Sequence, residues 1–260
     1  MKTLNLVGSG AVDLADRLVP RLDGRVATVE TLPETATRDT DAGAAYGLSA
    51  DGSWIGAGDG RTLDGMLDSL APGYDYALTI GFGDARLPTV VLGDAEPTGD
   101  AVVTASDHES ADIDDILDAI GALEPHVTLE SLVEQAKASP RADRAGAIAT
   151  FTGRVRAKDA EDDTPTTHLE FEKYEGVADD RLRTIRTELE AREGVFEVLL
   201  HHRTGVIPDG EDIVFVVVLA GHRDEAFRTV EDGINRLKDE VPIFKKESTT
   251  DEEFWIHEQP

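Results

Sequence analysis

Residues 220–247 read AGHRDEAFRTVEDGINRLKDEVPIFKKE, and this stretch decides how the second half of the chain folds. Its large apolar residues are spaced three and four apart, which predicts an amphipathic helix with one stripe facing a core: Phe227, Val230, Ile234 and Leu237. The helix should begin at or just after Asp224, whose short acidic side chain can cap the first turn. Pro242 should end it, because proline has no N–H to continue the helical bonding.

Lysine is concentrated near the end of this stretch. Only 7 of the chain's 25 basic residues are lysine, and three of these are Lys238, Lys245 and Lys246. Lys238 follows Ile234 by four residues, so we expect it at the margin of the buried stripe, partly shielded from water. A partly buried lysine, unlike arginine, can lose its proton and act as a base or nucleophile. The pattern indicates an anion pocket with a reactive amine, and the alternative is a solvated basic patch at a helix end.

The composition is strongly acidic. The 260 residues carry 53 acidic and 25 basic side chains, a formal net charge of −28, which excludes a nucleic-acid partner because phosphate contacts need a basic surface. The acids are spread along the chain, which favours a halophilic protein from a salt-rich cytoplasm, where salt screens self-repulsion. With no cysteine, disulfides, thiolate metal ligands and cysteine nucleophiles are excluded.

The sequence also argues against a membrane or an export route. No apolar run approaches the length of about 18 residues that a spanning helix needs. The N-terminus, MKTLNLVG, predicts a strand that runs into a turn rather than a signal peptide. We therefore expect a cytoplasmic protein with no membrane partner.

The first half opens with a β-α-β pattern around a glycine-rich turn. Strands are predicted at residues 4–7 and 25–29, and between them lie the turn Gly8-Ser9-Gly10 and a helix at 12–22. Such a turn before a helix is where α/β folds bind phosphate groups. The pattern then predicts helices at 62–70 and 112–123 and strands at 76–80, 88–92 and 101–104.

Several stretches of this half follow the pattern of one family: the opening strand, ADRLVPRLDGRVATVE, YDYALTIGFGDARLPTVVLGD and the closing helix DIDDILDAI. They resemble the MobB family, P-loop GTP-binding adapters of molybdenum-cofactor biosynthesis. A Walker A loop needs G-x-x-x-x-G-K-[ST], whose lysine reaches the β- and γ-phosphates. Here the loop reads GSGAVD, and Lys2 is the only lysine in residues 1–124. We expect residues 1–124 to form a degenerate, non-hydrolytic P-loop-like α/β domain, with a generic α/β domain as the alternative.

A second domain is expected over residues 125–260. Thr128 is the predicted cap of its first helix, and a later strand should carry Arg154 and Arg156 on one face. Arginine offers a bidentate fork to phosphate, so these two are candidate anion ligands. The predicted elements are helices at 126–137 and 177–192, strands at 147–156, 167–174, 196–203 and 213–219, and a short strand around Lys245 and Lys246.

Four stretches of this domain occur in order and at collinear spacing: GAIATFTGRVR, LEFEKYEGVADDRL, HHRTGVIPDGEDIVFVVVLAGHRDEAF and LKDEVPIFKKE, with Trp255 near the end. They resemble the MoaE family, the large catalytic subunit of molybdopterin synthase. The resemblance implies an α/β hammerhead-type fold and a sulfurtransferase. In that reaction two sulfurs pass from the C-terminal thiocarboxylate of a MoaD-like, ubiquitin-fold carrier to cyclic pyranopterin monophosphate, giving the dithiolene of molybdopterin. It also implies a central homodimer with one carrier on each outer side, and no cofactor.

The resemblance assigns site residues as well. Family lysines at the positions of Lys238 and Lys245 are the catalytic ones. We expect Lys238 to transfer a proton or to attack the carrier's terminal carbonyl, and Lys245 to pair with substrate phosphate or the carrier's terminus. The other motif matches are expected to bind substrate: Arg154, Val155, Arg156, His222, Arg223, Lys246 and Glu247. His222 and Arg223 fit this role independently, because they precede a helix N-terminus, where free N–H groups favour anions.

Each assignment has a plainer alternative. Arg154 is also compatible with a solvated strand residue, and residues 201–203 fit a structural role in orienting the turn at Gly205. Four isolated histidines have no metal-ligand spacing, so we expect no metal site: His108, His126, His168 and His257. The alternative to an enzyme is a non-catalytic adapter of the same pathway, and the missing P-loop lysine disfavours a nucleotide-dependent switch.

Overall fold

The computed structural model describes residues 1–32, 43–158, 160–174, 176–250 and 253–256. The chain divides into two compact units, Met1–Val127 (unit 1) and Thr128–Pro260 (unit 2). No helix in the described ranges is long and apolar enough to cross a membrane. Each unit mixes helices with sheets, so the predicted α/β class is confirmed.

Unit 1 is built on a five-stranded parallel sheet in the order β2-β5-β1-β6-β7. Leu4, Leu6, Leu14 and Leu18 belong to its buried core. The strands of unit 1 are β1 (Lys2–Val7), β2 (Val26–Glu30), β3 (Ala44–Leu48), β4 (Trp54–Gly58), β5 (Tyr76–Ile80), β6 (Thr89–Leu92) and β7 (Ala101–Ala105). The helices are α1 (Ala11–Leu18), a 3₁₀ turn (Val19–Arg21), α2 (Leu63–Leu70) and α3 (Ile113–Ala122).

Two features of unit 1 differ from the sequence prediction. The first helix ends at Leu18 rather than Leu22, because Pro20 has no N–H and its ring crowds the carbonyl of Asp16. The hairpin of β3 and β4 was not predicted, since its glycine-rich surroundings are typical of a loop. Part of the polar stretch that precedes it, residues 33–42, lies outside the described residues.

Unit 2 contains two antiparallel sheets. Their orders are β10-β12-β8 and β11-β9-β13-β14. The strands are β8 (Ala147–Arg154), β9 (Thr166–Lys173), β10 (Val195–His202), β11 (Gly205–Pro208), β12 (Asp212–Ala220), β13 (Ile243–Thr249) and β14 (Glu253–Ile256). The helices are α4 (Leu129–Lys137), a 3₁₀ turn (Ala142–Arg144), α5 (Val177–Glu190) and α6 (Arg223–Glu240).

Of the α-helices in unit 2, only α4 begins at a residue whose side chain caps it. Thr128 caps α4 as predicted, and its hydroxyl accepts a bond from the N–H of Ser131 at 3.1 Å. Helix α6 begins at Arg223 with His222 as its N-cap, so the prediction of a start at or after Asp224 was wrong. Asp224 lies in the first turn instead, where its negative charge interacts favourably with the positive end of the helix dipole.

The buried face of α6 is rotated from the predicted stripe. Ala226 and Gly233 are buried, and a Cβ on Gly233 would lie 3.1 Å from Val216 Cγ1. These small residues let the helix approach the sheet closely, so they define the centre of the buried face. Phe227 lies about 90° around the helix from that centre and is 66% exposed, so the prediction that it faces the core was wrong.

Candidate active site

A cleft of about 870 Å³ opens in unit 2 where the C-terminal end of α6, β9, β13 and the loop after β8 converge. Its volume is that of a typical small-molecule site. Eight charged side chains line it, five of them cationic: Arg154, Arg156, Lys158, Lys238 and Lys245, against Asp163, Asp239 and Glu247. In a chain of net charge −28, a cleft with more cations than acids favours an anionic ligand.

The reversal between α6 and β13 brings the two candidate catalytic lysines into one cleft. Helix α6 ends at Glu240, Pro242 follows, and β13 then runs antiparallel to β9 with Lys245 opposite Phe171. Lys245 is half-buried, whereas Lys238 is exposed. The expected partial burial of Lys238 was wrong, because the rotation that exposes Phe227 also turns Lys238 away from the core.

Arg154 and Arg156 line the cleft from the C-terminal end of β8 and the residues that follow it. Arg154 is the last residue of β8; its Nε lies 3.2 Å from a carboxylate oxygen of Asp212, and it donates to the carbonyl of Gly210. Arg156 is exposed and lines the cleft. Between them, Val155 is buried in a small cluster with Leu169, Phe171 and Ile207. Val155 therefore supports the wall by packing and is not among the lining residues.

The remaining residues of β13 have different surroundings. Glu247 lines the cleft and accepts a hydrogen bond from the hydroxyl of Thr166. Lys246 is not among the lining residues, because alternation along the strand turns it to the other face. There its amine lies 3.7 Å from a carboxylate oxygen of Glu170.

His222 and Arg223 lie at the far end of α6 from the cleft. Both are exposed, and neither is among its lining residues. Lys238 lies fifteen positions after Arg223 in α6, which is about 22 Å along the helix. A single chain therefore does not bring these two predicted substrate ligands to the candidate lysines.

His202, for which the sequence predicted only a structural role, lies in the cleft. It is the last residue of β10 and lines the cleft. Its Nδ1 lies 2.7 Å from the carbonyl oxygen of Arg203, and its ring meets Phe171 edge-on at 4.8 Å between centroids. Burial lowers its pKa to about 4, and the nearby charge of Lys173 acts in the same direction. The imidazole is therefore neutral at physiological pH.

This shift predicts a pH dependence of stability. Unfolded, His202 takes up a proton near pH 6.5, whereas in the fold it does so only near pH 4. Between these values the unfolded chain holds more protons, so the free energy of unfolding rises with pH. The contribution of His202 to the free energy of unfolding is fully present above pH 6.5. As the pH falls to 4, up to about 3 kcal/mol of this free energy is lost. Denaturant titrations at pH 7, 6, 5 and 4.5 should show a steeper fall for wild type than for His202→Asn, and equal slopes would contradict the assignment.

The remaining histidines do not form a metal site among the residues that the structure describes. No group of three or more histidine and carboxylate side chains could hold a metal ion there. His126 lies 2.8 Å from a carboxylate oxygen of Asp68 as a single pair. His257 lies outside the described residues.

In unit 1 the glycine-rich turn is covered by a side chain. Gly10 caps α1 with a φ of 86°, and a Cβ there would lie 2.4 Å from His108 Nδ1. Arg17 holds the covering segment by donating to the carbonyls of His108 and Ala111. The imidazole of His108 therefore lies directly against the turn at Gly10.

Comparison with known proteins identifies the class of unit 2. Residues 125–240 match the profile of the family described as MoaE protein. A protein from Haloferax volcanii named probable molybdopterin synthase is 63% identical over 262 residues, which covers 100% of both chains. The molybdopterin synthase catalytic subunit of Bacillus subtilis is 40% identical over 115 residues, covering 44% of this chain and 72% of the relative. The solved molybdopterin synthase of Staphylococcus aureus is 30% identical with a TM-score of 0.45, covering 52% of this chain and 93% of its own.

The chain belongs to the MoaE family of molybdopterin synthase catalytic subunits. It is an enzyme of molybdenum cofactor biosynthesis, as the resemblance of its second half predicted.

Proposed function

We propose that unit 2 transfers sulfur from the thiocarboxylated C-terminus of a MoaD-like carrier to cyclic pyranopterin monophosphate, forming the molybdopterin dithiolene. The convergence of Lys238 and Lys245 with Arg154 and Arg156 on one cleft carries this proposal. Arginine and lysine together suit a phosphorylated ligand, since the first forms bidentate bonds and the second donates a compact charge. The amines also supply groups able to transfer protons or attack a carbonyl.

A carrier tail is the second occupant that the cleft is proposed to receive. The tail should end in glycines, because a backbone without side chains can enter a narrow site and approach the lysines closely. A thiocarboxylate holds one transferable sulfur, so two carrier tails must act in turn for each dithiolene. The carrier is the partner proposed for this chain, with no nucleic acid and no membrane involved.

The site is proposed to be completed by a second copy of the chain. His222 and Arg223 are too far from Lys238 along α6 to serve the same cleft, so in a homodimer they would serve the cleft of the partner. The exposed Phe227 supports this arrangement, since it lies one helical turn from Arg223 and offers an apolar surface for the second copy to cover.

Reconstitution tests the proposed function directly. The full chain is mixed with thiocarboxylated carrier and cyclic pyranopterin monophosphate, and molybdopterin is measured. Product that depends on both substrates is the expected result. Binding of the carrier and the pterin without product would instead favour the alternative, a non-catalytic adapter of the pathway.

Unit 1 is proposed to be a degenerate MobB-like domain with no GTPase activity. A Walker A lysine is absent from its turn, and His108 lies directly against it. Without a lysine to stabilise charge on the β- and γ-phosphates, the full chain should release no phosphate from GTP and magnesium above the uncatalysed rate. A phosphate-release assay with His108→Ala should give the same result, because opening the turn does not restore the lysine. Turnover at ordinary GTPase rates by either protein would overturn this proposal.

The acidic surface is proposed to be an adaptation to a salt-rich cytoplasm. With 53 acidic and 25 basic residues, self-repulsion reaches about 30 Å at 0.01 M salt but only about 3 Å at 1 M. The unfolding midpoint should therefore rise steeply with KCl in a thermal melt. A midpoint that stays flat from dilute buffer to molar salt would rule out the halophilic assignment.

A further inference from the structure

We propose that His202 is a substrate-positioning residue, whose Nε2 accepts a hydrogen bond from an uncharged N–H or O–H group of the ligand in the cleft. This rests on the proposed function, because it takes the ligand to be a phosphorylated pterin. The role is distinct from that of the cationic residues, which hold the phosphate.

The tautomer of His202 follows from its hydrogen bond. The partner of Nδ1, at 2.7 Å, is the carbonyl oxygen of Arg203, which can only accept, so Nδ1 carries the proton. In the neutral ring Nε2 then presents a lone pair. Nε2 forms no hydrogen bond with any residue that the structure describes. It is also absent from the set of fully buried atoms without a partner, so it is not sealed off from the cleft. It is therefore an acceptor available to the cleft that His202 lines.

The ring is held in place from several directions. His202 pairs with Val214 in the ladder between β10 and β12, and Phe171 packs against its ring. Arg203, which supplies the carbonyl, is itself fixed by donating to the carbonyl of Asp212 at 2.7 Å and to Glu211 at 3.0 Å. A ring fixed in this way loses little freedom when it binds a ligand, which favours selective recognition.

The chemistry of the cleft leaves a need for such an acceptor. The five cations are donors, and they suit a phosphate, which at neutral pH is chiefly an acceptor. The pterin ring carries N–H and amino groups that need acceptors. Two of the three acids are partly engaged, since Glu247 accepts from Thr166 and Asp163 accepts from the N–H of Ala160 at 2.6 Å. A neutral imidazole accepts such a bond without adding charge beside the phosphate site.

Two substitutions separate this role from a purely structural one. In His202→Gln the amide places an acceptor near the position of Nε2 but loses the bond of Nδ1. In His202→Asn the amide keeps a donor near Nδ1 but has no group near Nε2. Binding of cyclic pyranopterin monophosphate to the full chain is measured by calorimetry, alongside the unfolding midpoint of each variant and inhibition by inorganic phosphate.

The expected result is that Asn weakens pterin binding about 10- to 100-fold, whereas Gln stays within a few-fold of wild type. Inorganic phosphate should compete equally well with pterin binding to the wild type and to both variants, because His202 does not contact the phosphate group. Equal affinities in both variants, or a larger loss in Gln than in Asn, would overturn the proposal in favour of a structural role. If the wild type itself fails to bind the pterin, the proposed function is overturned as well. That result is distinguishable from one in which the wild type binds but the two variants do not differ in affinity as expected.

Discussion

Replacing Lys238 by arginine is expected to slow the chemical step by roughly 10²- to 10⁴-fold while leaving substrate affinity nearly unchanged. Arginine keeps the charge and much of the length, so phosphate binding should survive. It stays protonated at any working pH, so a step that needs a neutral amine is lost. The measurement is single-turnover formation of molybdopterin at saturating carrier and pterin.

The matched control is Lys137→Arg in α4, which makes the same change at an exposed lysine that pairs with Glu134 at 2.7 Å and does not line the cleft. It should behave as wild type. A near-normal rate of the chemical step in Lys238→Arg, together with weaker substrate binding in Lys238→Ala, would mean that Lys238 only binds the phosphate group. The catalytic assignment would then pass to Lys245, which the same substitution tests.

Lys238→Arg and Arg223→Ala are each expected to be nearly inactive alone, and mixing them should restore about a quarter of the wild-type activity. In a dimer of Lys238→Arg and Arg223→Ala chains, one site combines both changes and the other combines Lys238 of one chain with Arg223 of its partner. Half of the dimers in an equal, fully exchanged mixture are of this mixed kind, and half of their sites are intact. The recovery is measured after unfolding and refolding the two proteins together.

Two controls complete this experiment. Each variant refolded alone should stay at its low activity, and a mixture of Lys238→Arg with Lys245→Ala should show no recovery, because both lysines line the cleft of the same chain. Loss of activity in the Arg223→Ala chain without recovery on mixing would contradict a site shared between two copies. It would leave the reaction proposed for the cleft unaffected.

Much of the order of helices and strands could be predicted from the sequence, because it depends on local patterns. Thr62 and Asp112 cap their helices at the predicted starts, since a short polar side chain before an apolar repeat satisfies free N–H groups. The strand at residues 76–80 has the predicted bounds. The link between the strands predicted at 196–203 and 213–219 contains a further strand, β11, which was not predicted, because pairing with β9 satisfies its backbone.

The sequence predicted part of the candidate site, and the tertiary structure decided which of the predicted residues meet in the cleft. The lysine spacing around Pro242 indicated a basic pocket, and the structure gathers Lys238, Lys245 and Glu247 there with Arg154 and Arg156. Their catalytic and binding roles stay predictions. Val155 and Lys246 were chosen by motif, but burial and strand alternation turn them away from the cleft.

The sequence by itself determined the family, the acidic composition, several helix starts and the concentration of lysines, because each depends on residue identity or on neighbours a few positions apart. The tertiary structure alone decided which way α6 faces, since Ala226 and Gly233 set its approach to the sheet and expose Phe227 and Lys238. It also decided that His202 lies in the cleft and that His108 covers the turn of unit 1. Both depend on contacts between residues far apart in the chain, which local periodicity does not encode.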